Sequence, residues 1–159
     1  MTDGKISTRA VELALAALEQ GLRENAEYPH LLTTRDGAIQ RFEFVVDTSR
    51  QLLLRVLKEV FGLSEAAAQK DTFREAGKLE LVADAENWIA HVNARNRTSH
   101  TYDSKIAEQV FAHVPSILPD ARDPGRSPEC PRRHPDSATA RALKRTVAKC
   151  LGPATLSLC

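Results

Sequence analysis

One apolar pattern constrains the fold of this chain more than any other feature, and it lies in residues 33–61. Apolar or small side chains recur there at alternating steps of three and four, at Ile39, Phe42, Val46, Ser49, Leu53, Val56 and Val60. That spacing is typical of one face of a long helix. A second stripe runs beside it through Ala38, Val45 and Leu52. A face this wide predicts a helix, Thr33 to Phe61, that contacts two or more neighbours, and we expect part of it to serve a partner chain.

Shorter helices are predicted on both sides of the long one. Their spans are Ser7 to about Asn25, Asp71 to about Leu79, Asp84 to about Arg95, and Asp103 or Ser104 to Val114, with a short turn over residues 64–69. Asp84 and Asp103 are residues that cap helix N-termini, and Thr33 followed by Asp36 resembles a capping box. No segment shows the alternation of a strand. The sequence therefore predicts an all-α, antiparallel four-helix up-and-down bundle with a short extra helix.

The composition changes at Pro119. Six of the eight prolines lie from Pro119 to Pro153, and residues 122–135 have almost no apolar content. Such a segment cannot bury a core. We expect Pro115 and Pro119 to end the last helix of a bundle formed by residues 1–118. The remaining residues, 119–159, are predicted to be a largely disordered tail, either a genuine extension or a frame-shifted reading of the gene.

Charge and cysteine content exclude several classes of protein. The net charge is +1, with an acidic excess in the bundle and a basic excess in the tail, so any nucleic-acid contact by the bundle must be local. The cysteines, Cys130, Cys150 and Cys159, all lie in the tail, and no Cys/His set has zinc spacing. No apolar run approaches the roughly 18 residues that a membrane span needs. We predict a cytoplasmic protein with no metal, no cofactor and no membrane contact.

A polar stretch interrupts the helical pattern at residues 95–103. It reads Arg-Asn-Arg-Thr-Ser-His-Thr-Tyr-Asp, with no apolar residue before Tyr102. These side chains can donate or accept hydrogen bonds or carry a proton. The plain interpretation is a polar helix end and a loop. A helix that ends at Thr98-Ser99 also lets Arg95 and His100 converge, whereas a continuous helix would separate them by roughly 140°.

Two stretches resemble those of a known family. Residues 35–44, Arg-Asp-Gly-Ala-Ile-Gln-Arg-Phe-Glu-Phe, and residues 95–103 closely resemble the nucleotidyltransferase substrate-binding protein family of the HEPN (higher eukaryotes and prokaryotes nucleotide-binding) superfamily. The resemblance covers about residues 5–118 and implies a dimeric helical bundle paired with a minimal nucleotidyltransferase. In related toxin–antitoxin modules, such a subunit resembles a metal-independent ribonuclease. Its Arg-x4-His-x-Tyr motif corresponds here to Arg95, His100 and Tyr102, and the partner adenylylates that tyrosine.

The chemistry of these residues suits RNA cleavage without a metal. RNA carries the 2′-hydroxyl nucleophile that DNA lacks. His100 can take or give a proton near neutral pH, and Arg95 can hold a phosphate with its planar fork and stabilise developing charge. Asn96 and Ser99 can orient the phosphate or His100.

Two carboxylates on the long helix are candidates for holding Arg95. Glu43 and Asp47 lie one turn apart, and they either pair with Arg95 or belong to a solvated acidic face. The family usually has Glu-Leu-Ala-Trp-Lys where this chain has Asp-Thr-Ser-Arg-Gln at residues 47–51. Asp47 therefore keeps a carboxylate, while Arg50 replaces a large aromatic side chain.

Tyr102 is predicted to be the modified residue. It follows His100 by two positions, in the loop where its phenol can be exposed beside an RNA site. An added AMP would bring a negative charge close to Arg95 and fill the pocket. The alternative is a structural tyrosine whose ring packs against Trp88 or Ile106.

Two classes of function remain open at this point. One is a toxin-type ribonuclease that acts on RNA, and the other is a non-catalytic subunit that presents a nucleotide or another substrate to a nucleotidyltransferase. The remaining histidines form no constellation in the sequence and are assigned no role; they are His30, His91, His113 and His134.

Overall fold

Helices make up nearly all of the chain that the structure describes. The structure is a computed structural model, and it describes residues 8–63 and 69–122. Within these two ranges the helices are α1 (Arg9–Glu27), α2 (Leu32–Phe61), α3 (Gln69–Lys78), α4 (Ala85–Arg97), α5 (Ser104–His113) and α6 (Ile117–Arg122). Single 3-10 turns, Thr98–His100 and Val114–Ser116, precede α5 and α6. These ranges contain no strand, and the prediction of an all-α fold is confirmed.

Helix α2 carries the centre of the hydrophobic core. The predicted seam is buried from Ile39 to Val56, and so is the second stripe, with Ala38 and Val45 fully inaccessible. Helices α1, α3, α4 and α5 all contact α2 within one chain. Neighbouring helices of the same chain therefore cover the seam from Ile39 to Val56 and leave only its end, at the half-buried Val60, open to a partner chain. The helix ends at Gly62, which adopts the left-handed conformation (φ 63°) that glycine reaches without strain.

Helix α3 is held against α4 by close packing of small and aromatic side chains. The rings of Phe73 and Trp88 stack with their centroids 4.9 Å apart and their planes within 9°. Near the other end of α3, a Cβ atom at Gly77 would lie only 2.8 Å from the Cβ atom of Ala85. Glycine at this position therefore allows the end of α3 to approach the start of α4.

The predicted aspartate caps are both present. An Asp84 carboxylate oxygen accepts hydrogen bonds from the backbone N–H groups of Glu86 at 2.9 Å and Asn87 at 3.1 Å. Asp103 accepts one from the N–H of Lys105 at 2.9 Å. Both caps satisfy N–H groups that have no partner inside the helix. The short loops before α4 and α5 are therefore fixed by their own sequence.

The capping box predicted at Thr33 and Asp36 is wrong. Helix α2 already begins one residue before Thr33, and no side chain caps its N-terminus. Thr34 connects α1 and α2 instead. Its hydroxyl donates to the backbone oxygen of Leu31 at 2.7 Å and accepts from the side-chain amide of Asn25 at 3.0 Å. This contact joins residues nine positions apart, so a local cap motif does not reveal it.

The core continues beyond the prolines that were expected to end it. After α5 the chain makes a 3-10 turn that includes Pro115, and Pro119 is the third residue of α6. The first N–H groups of a helix have no partner inside the helix, so a proline fits there without cost. Ile117 and Ala121 are fully inaccessible. Helix α6 is therefore a packed part of the bundle, and the expectation that Pro119 begins the tail does not hold for the helix itself.

Parts of the sequence-based predictions lie outside the described residues. These are the start of the first helix at Ser7, residues 64–68 of the predicted turn, and the tail beyond Arg122. The division into residues 1–118 and 119–159 stays a prediction. None of the described helices is long and apolar enough to cross a membrane.

The burial of α2 predicts a large difference between two leucine-to-alanine changes. Leu53 is 1% exposed in the core, whereas Leu13 is 58% exposed on α1. Leu53→Ala should lower the free energy of unfolding by about 2–5 kcal/mol, through lost burial and the cavity left behind. Leu13→Ala should change it by no more than about 0.5 kcal/mol. Urea unfolding followed by circular dichroism measures both, and equal effects would contradict this core assignment.

Candidate active site

Arg95, in the last turn of α4, forms a two-bond ion pair with Asp47 of α2. Its Nε donates to Asp47 Oδ1 at 3.1 Å, and its Nη2 donates to Asp47 Oδ2 at 2.9 Å. The side chains of Arg95 and Asp47 are 28% and 34% exposed. The pair links residues 48 positions apart and favours the first of the two sequence interpretations of Asp47. The geometry is the bidentate fork that arginine makes with carboxylates.

The ion pair leaves part of the Arg95 guanidinium available. Five N–H groups project from a guanidinium, and Asp47 accepts from two of them, on the Nε–Nη2 edge. The hydrogen bonds to Asp47 raise the pKa of Arg95 further above its usual value, and the charge of Glu43 acts in the same direction. Glu43 is half-buried one turn before Asp47. Arg95 therefore stays cationic, with its remaining N–H groups able to donate to a phosphate.

The end of α4 lies between Arg95 and His100, as the sequence predicts. The helix stops at Arg97, and a 3-10 turn follows. The buried Thr98 hydroxyl donates to the backbone oxygen of Arg95 at 2.7 Å, and the Thr101 hydroxyl donates to the Thr98 oxygen at 2.9 Å. Both threonines thus satisfy carbonyl groups that a longer helix would have used. The turn is fixed by side chains of the polar stretch itself.

His100 and Tyr102 are exposed next to one another in the loop between α4 and α5. Their ring centroids lie 6.2 Å apart in an edge-to-face arrangement, and Tyr102 is 87% exposed. The alternative in which the Tyr102 ring packs against Trp88 or Ile106 is wrong, because so exposed a ring is not buried against either. Trp88 is instead 1% exposed within the core. The phenol oxygen of Tyr102 is thus accessible to another protein.

The other polar residues of the stretch have different surroundings. Arg97 donates from Nη2 to the side-chain oxygen of Gln109, so α5 holds its guanidinium. Asn96 and Ser99 are exposed. Their proposed roles in orienting phosphate or His100 stay predictions.

A second polar cluster lies inside the bundle, and no pattern in the sequence indicates it. His91 of α4 is 2% exposed. Its Nδ1 lies 2.9 Å from Nε2 of His113 in α5, and its Nε2 lies 2.8 Å from Oδ2 of Asp120 in α6. Burial lowers the pKa of both histidines, while the Asp120 carboxylate opposes that shift. His91 and His113, which form no constellation in the sequence and were assigned no role, therefore belong to a buried cluster with Asp120.

The comparison with protein families identifies the group to which this bundle belongs. Residues 7–125 match the family described as nucleotidyltransferase substrate binding protein like. The chain belongs to this family. The match includes α1 to α6 and ends shortly after α6.

Two relatives of this family member are known by name. A Haemophilus influenzae protein named "Probable ribonuclease HepT" is 33% identical over 129 residues, which cover 74% of this chain and 88% of the relative. The solved structure of HI0074, also from Haemophilus influenzae, has a TM-score of 0.63 and 29% identity, and the match covers 72% of this chain and 93% of that one. The HI0074 structure is described as revealing "the fold of a substrate binding domain of a nucleotidyltransferase".

Helix α2 contains buried polar atoms that lack a partner within residues 8–63 and 69–122. The Nε of Arg50 is buried without a hydrogen-bond partner among the described residues. The hydroxyl of the neighbouring Ser49, on the seam, is also buried and has no hydrogen-bond partner within the described part of the chain. A buried polar atom without a partner costs free energy. This part of α2 is therefore less well satisfied than the segment around Asp47.

Proposed function

We propose that this chain is a metal-independent ribonuclease subunit that works in the cytoplasm beside a minimal nucleotidyltransferase. Arg95 and His100 act on RNA, Asp47 holds Arg95 while the charge of Glu43 supports its cationic state, and Tyr102 is the residue through which the partner silences the enzyme. Asn96 and Ser99 orient the phosphate. The relative named "Probable ribonuclease HepT" supports this class of activity, and the family description supports a nucleotidyltransferase partner.

The observation that carries the proposal is the arrangement at the end of α4. A half-buried arginine is oriented by two hydrogen bonds to Asp47, and the chain then turns so that His100 and Tyr102 stand exposed within the next seven residues. A structural ion pair needs no exposed histidine five residues after its arginine. An enzyme that cleaves a phosphodiester needs a fixed cation for the phosphate and an accessible group that exchanges protons.

The reaction follows from the chemistry of these groups. The His100 imidazole takes the proton of an RNA 2′-hydroxyl, and the freed oxygen attacks the adjacent phosphorus. The bond from phosphorus to the 5′-oxygen breaks, and that oxygen takes a proton from water. Arg95 stabilises the charge that builds on the other phosphate oxygens. The products are a 2′,3′-cyclic phosphate and a 5′-hydroxyl end, and His100 returns its proton to solvent.

The second candidate is a non-catalytic subunit that presents a nucleotide or another substrate to the nucleotidyltransferase. The description of the similar solved structure as a substrate binding domain favours it, and so does the family description. In that case Arg95 still binds phosphate, but His100 transfers no proton. The two candidates differ in whether the purified chain cleaves RNA by itself.

We expect the purified chain to cleave RNA in the presence of a chelator. His100→Ala should reduce the rate by about 10²–10⁴-fold through loss of the base. Arg95→Ala should reduce it by about 10²–10³-fold through loss of charge stabilisation. Asp47→Asn should have a smaller effect, because the amide still accepts one hydrogen bond from Arg95. Gel analysis of labelled RNA and of its end groups measures both rate and products.

Matched controls come from the same chain. His30→Ala removes an exposed histidine from the loop before α2, and Arg74→Ala removes an exposed arginine paired with Asp71. Both should cleave RNA at the wild-type rate. Cleavage that survives His100→Ala, or that disappears with the chelator, would exclude this mechanism. RNA binding without cleavage by wild type would favour the second candidate.

Tyr102 is suited to control by adenylylation because of its exposure and its neighbours. Its oxygen can attack the α-phosphorus of ATP held by the nucleotidyltransferase, which releases diphosphate, and the phenol proton goes to solvent. The attached phosphodiester carries about one negative charge. That charge competes with RNA phosphate for Arg95, and the adenosine covers His100, whose ring already contacts Tyr102. The modification thus blocks the site without disturbing the core.

Co-expression with the cognate nucleotidyltransferase should attach AMP to Tyr102 and abolish RNA cleavage. Tyr102→Phe should stay unmodified and active beside the partner. Tyr28→Phe is the matched control, since Tyr28 is also exposed, at 45%, but lies after α1. Peptide mass spectrometry locates the modification. An unmodified Tyr102, or full silencing of Tyr102→Phe, would exclude this switch and leave the ribonuclease proposal intact.

A homodimer is the third part of the proposal. Because the seam of α2 is covered within one chain from Ile39 to Val56, the contact must use other apolar residues. Phe44 is 55% exposed on α2, one turn before Asp47, so a second copy bound there would lie beside the candidate site.

Sedimentation equilibrium at micromolar concentration should detect the dimer. Phe44→Glu should dissociate it, because a charge would be buried in an apolar contact. Leu13→Glu, at an equally exposed position on α1, should not. A wild-type monomer at this concentration would exclude the dimer, and a dimer that persists in Phe44→Glu would place the contact elsewhere.

A further inference from the structure

Asp120, His91 and His113 form a buried hydrogen-bond network in which the donor and the acceptor of each bond can be assigned. A carboxylate can only accept, so His91 Nε2 carries the proton that faces Asp120. The other nitrogen of a neutral imidazole is then an acceptor. His113 Nε2 must therefore carry the proton that faces His91 Nδ1. Each ring nitrogen of His91 serves one partner.

These hydrogen bonds connect His91 of α4 to His113 of α5 and to Asp120 of α6, the two helices that follow it. His91 lies one turn before Arg95, on the same side of α4. The His91 ring also contacts the edges of Trp88 and of Phe42 from α2, at centroid distances of 5.6 Å and 6.4 Å. A change in the position of His91 would therefore shift the turn of α4 that carries Arg95.

Two charged side chains, from α6 and from the end of α4, act on this hydrogen-bond network. Asp120 faces it from α6, and Asn87 donates to the second oxygen of Asp120 at 3.4 Å. After burial, the charge of Arg97, at the end of α4, also lowers the pKa of His113. Helix α2 contributes the Phe42 ring, which contacts His113 at 6.2 Å. The network thus has the Asp120 carboxylate at one end, while its other end, at His113, is influenced by the charge of Arg97 in the polar stretch.

The two histidines can hold one additional proton but not two. A single added proton can be accommodated if one nitrogen between the rings still accepts. When both rings are cationic, His91 Nδ1 and His113 Nε2 are both donors, and the 2.9 Å bond between them must break. Two cations would also face one another inside the bundle.

We propose that His91, His113 and Asp120 are positioning residues for Arg95, and that the Arg95–Asp47 fork is kept in place only while the bond between the two histidines is intact. The proposal rests on the proposed function in so far as it concerns RNA cleavage. Its structural part, the dependence of the Arg95–Asp47 fork on the buried hydrogen-bond network of His91, His113 and Asp120, can be tested without any enzymatic activity.

The direction of the pH effect follows from burial. Both histidines have a pKa lowered from the ordinary value of 6.5, so they gain protons at a lower pH in the folded than in the unfolded chain. Below about pH 6.5 the unfolded state binds more protons, and stability falls as the pH falls. The stabilisation that the two neutral histidines provide is present above about pH 6.5, and it is lost as the pH falls through their pKa values in the folded chain. The fork should loosen in the same acidic range.

The test follows the Arg95 Nε–H signal by nuclear magnetic resonance on the full chain. Asp47→Asn and Arg95→Lys identify the signal, which the bond to Asp47 shifts from the position of a free guanidinium. In wild type, the signal should move toward the free position with the acidic midpoint of the second protonation of the histidine pair, which the His91 and His113 ring signals report, and not with that of the first. A midpoint that differs from that of the second protonation would overturn the proposal.

Two variants of His113 separate positioning from general stability. His113→Gln keeps a donor toward His91 Nδ1 and can turn its amide oxygen to accept, so the fork should persist well below the wild-type midpoint. His113→Leu removes the bond, so the Arg95 signal should lie at the free position even at pH 7.5. The exposed His30→Gln should change neither. An Arg95 signal that is unaffected in His113→Leu, or that keeps the wild-type midpoint in His113→Gln, would overturn the proposal.

RNA cleavage gives the second measurement. His113→Leu should lower kcat by about 10–100-fold at pH 7.5 through misplacement of Arg95. His113→Gln should restore it and remove the loss of activity on acidification that the histidine pair causes. If no variant, wild type included, cleaves RNA, the proposed function fails, while the Arg95 signal still decides the positioning proposal. Active His113→Leu with wild-type kcat would overturn it.

Discussion

Helix α2 can bury two apolar stripes only if other helices lie on several sides of it, and this requirement sets the positions of α1, α3, α4 and α5. Asp47 lies on the part of α2 between the buried seam and solvent, where Arg95 of α4 reaches it. A hydrophobic contact tolerates small slides of one helix along another, whereas two hydrogen bonds to one carboxylate do not. The core therefore brings α4 to α2, and the ion pair can form in only one register between them.

The elements that the sequence predicted well are those whose determinants are local. Asp84 and Asp103 cap the helices that follow them, and the spacing of apolar residues locates the buried face of α2. The wrong predictions involve contacts across the sequence. Thr34, in the first turn of α2, contacts Asn25 of α1. Helix α6 forms although Pro119 lies within it, because its apolar residues pack against the core next to α4. Local rules describe what a segment can form, and tertiary packing decides which form is stable.

The candidate site was predictable to a different degree in its two parts. The motif with Arg95, His100 and Tyr102 lies in one continuous stretch, so both its chemistry and its resemblance to a family can be read directly. Asp47 and Glu43 were both candidates for holding Arg95, and only the hydrogen bonds of the folded structure distinguish Asp47 from Glu43. His113 and Asp120 are separated from His91 by 22 and 29 positions, and Asp120 follows the proline that was expected to begin the tail. No spacing rule connects residues placed in that way.

The strengths of the two polar clusters explain why a buried network is useful behind an exposed site. An ion pair as accessible as Arg95–Asp47 stabilises a fold by up to about 1 kcal/mol, so by itself it fixes the end of α4 only weakly. A buried hydrogen bond that loses its partner costs about 1–3 kcal/mol, because water cannot replace it. The His91 contacts therefore resist displacement of α4 more strongly than the fork does. Placing them one turn before Arg95 lets the interior fix a cation that must itself stay open to a phosphate.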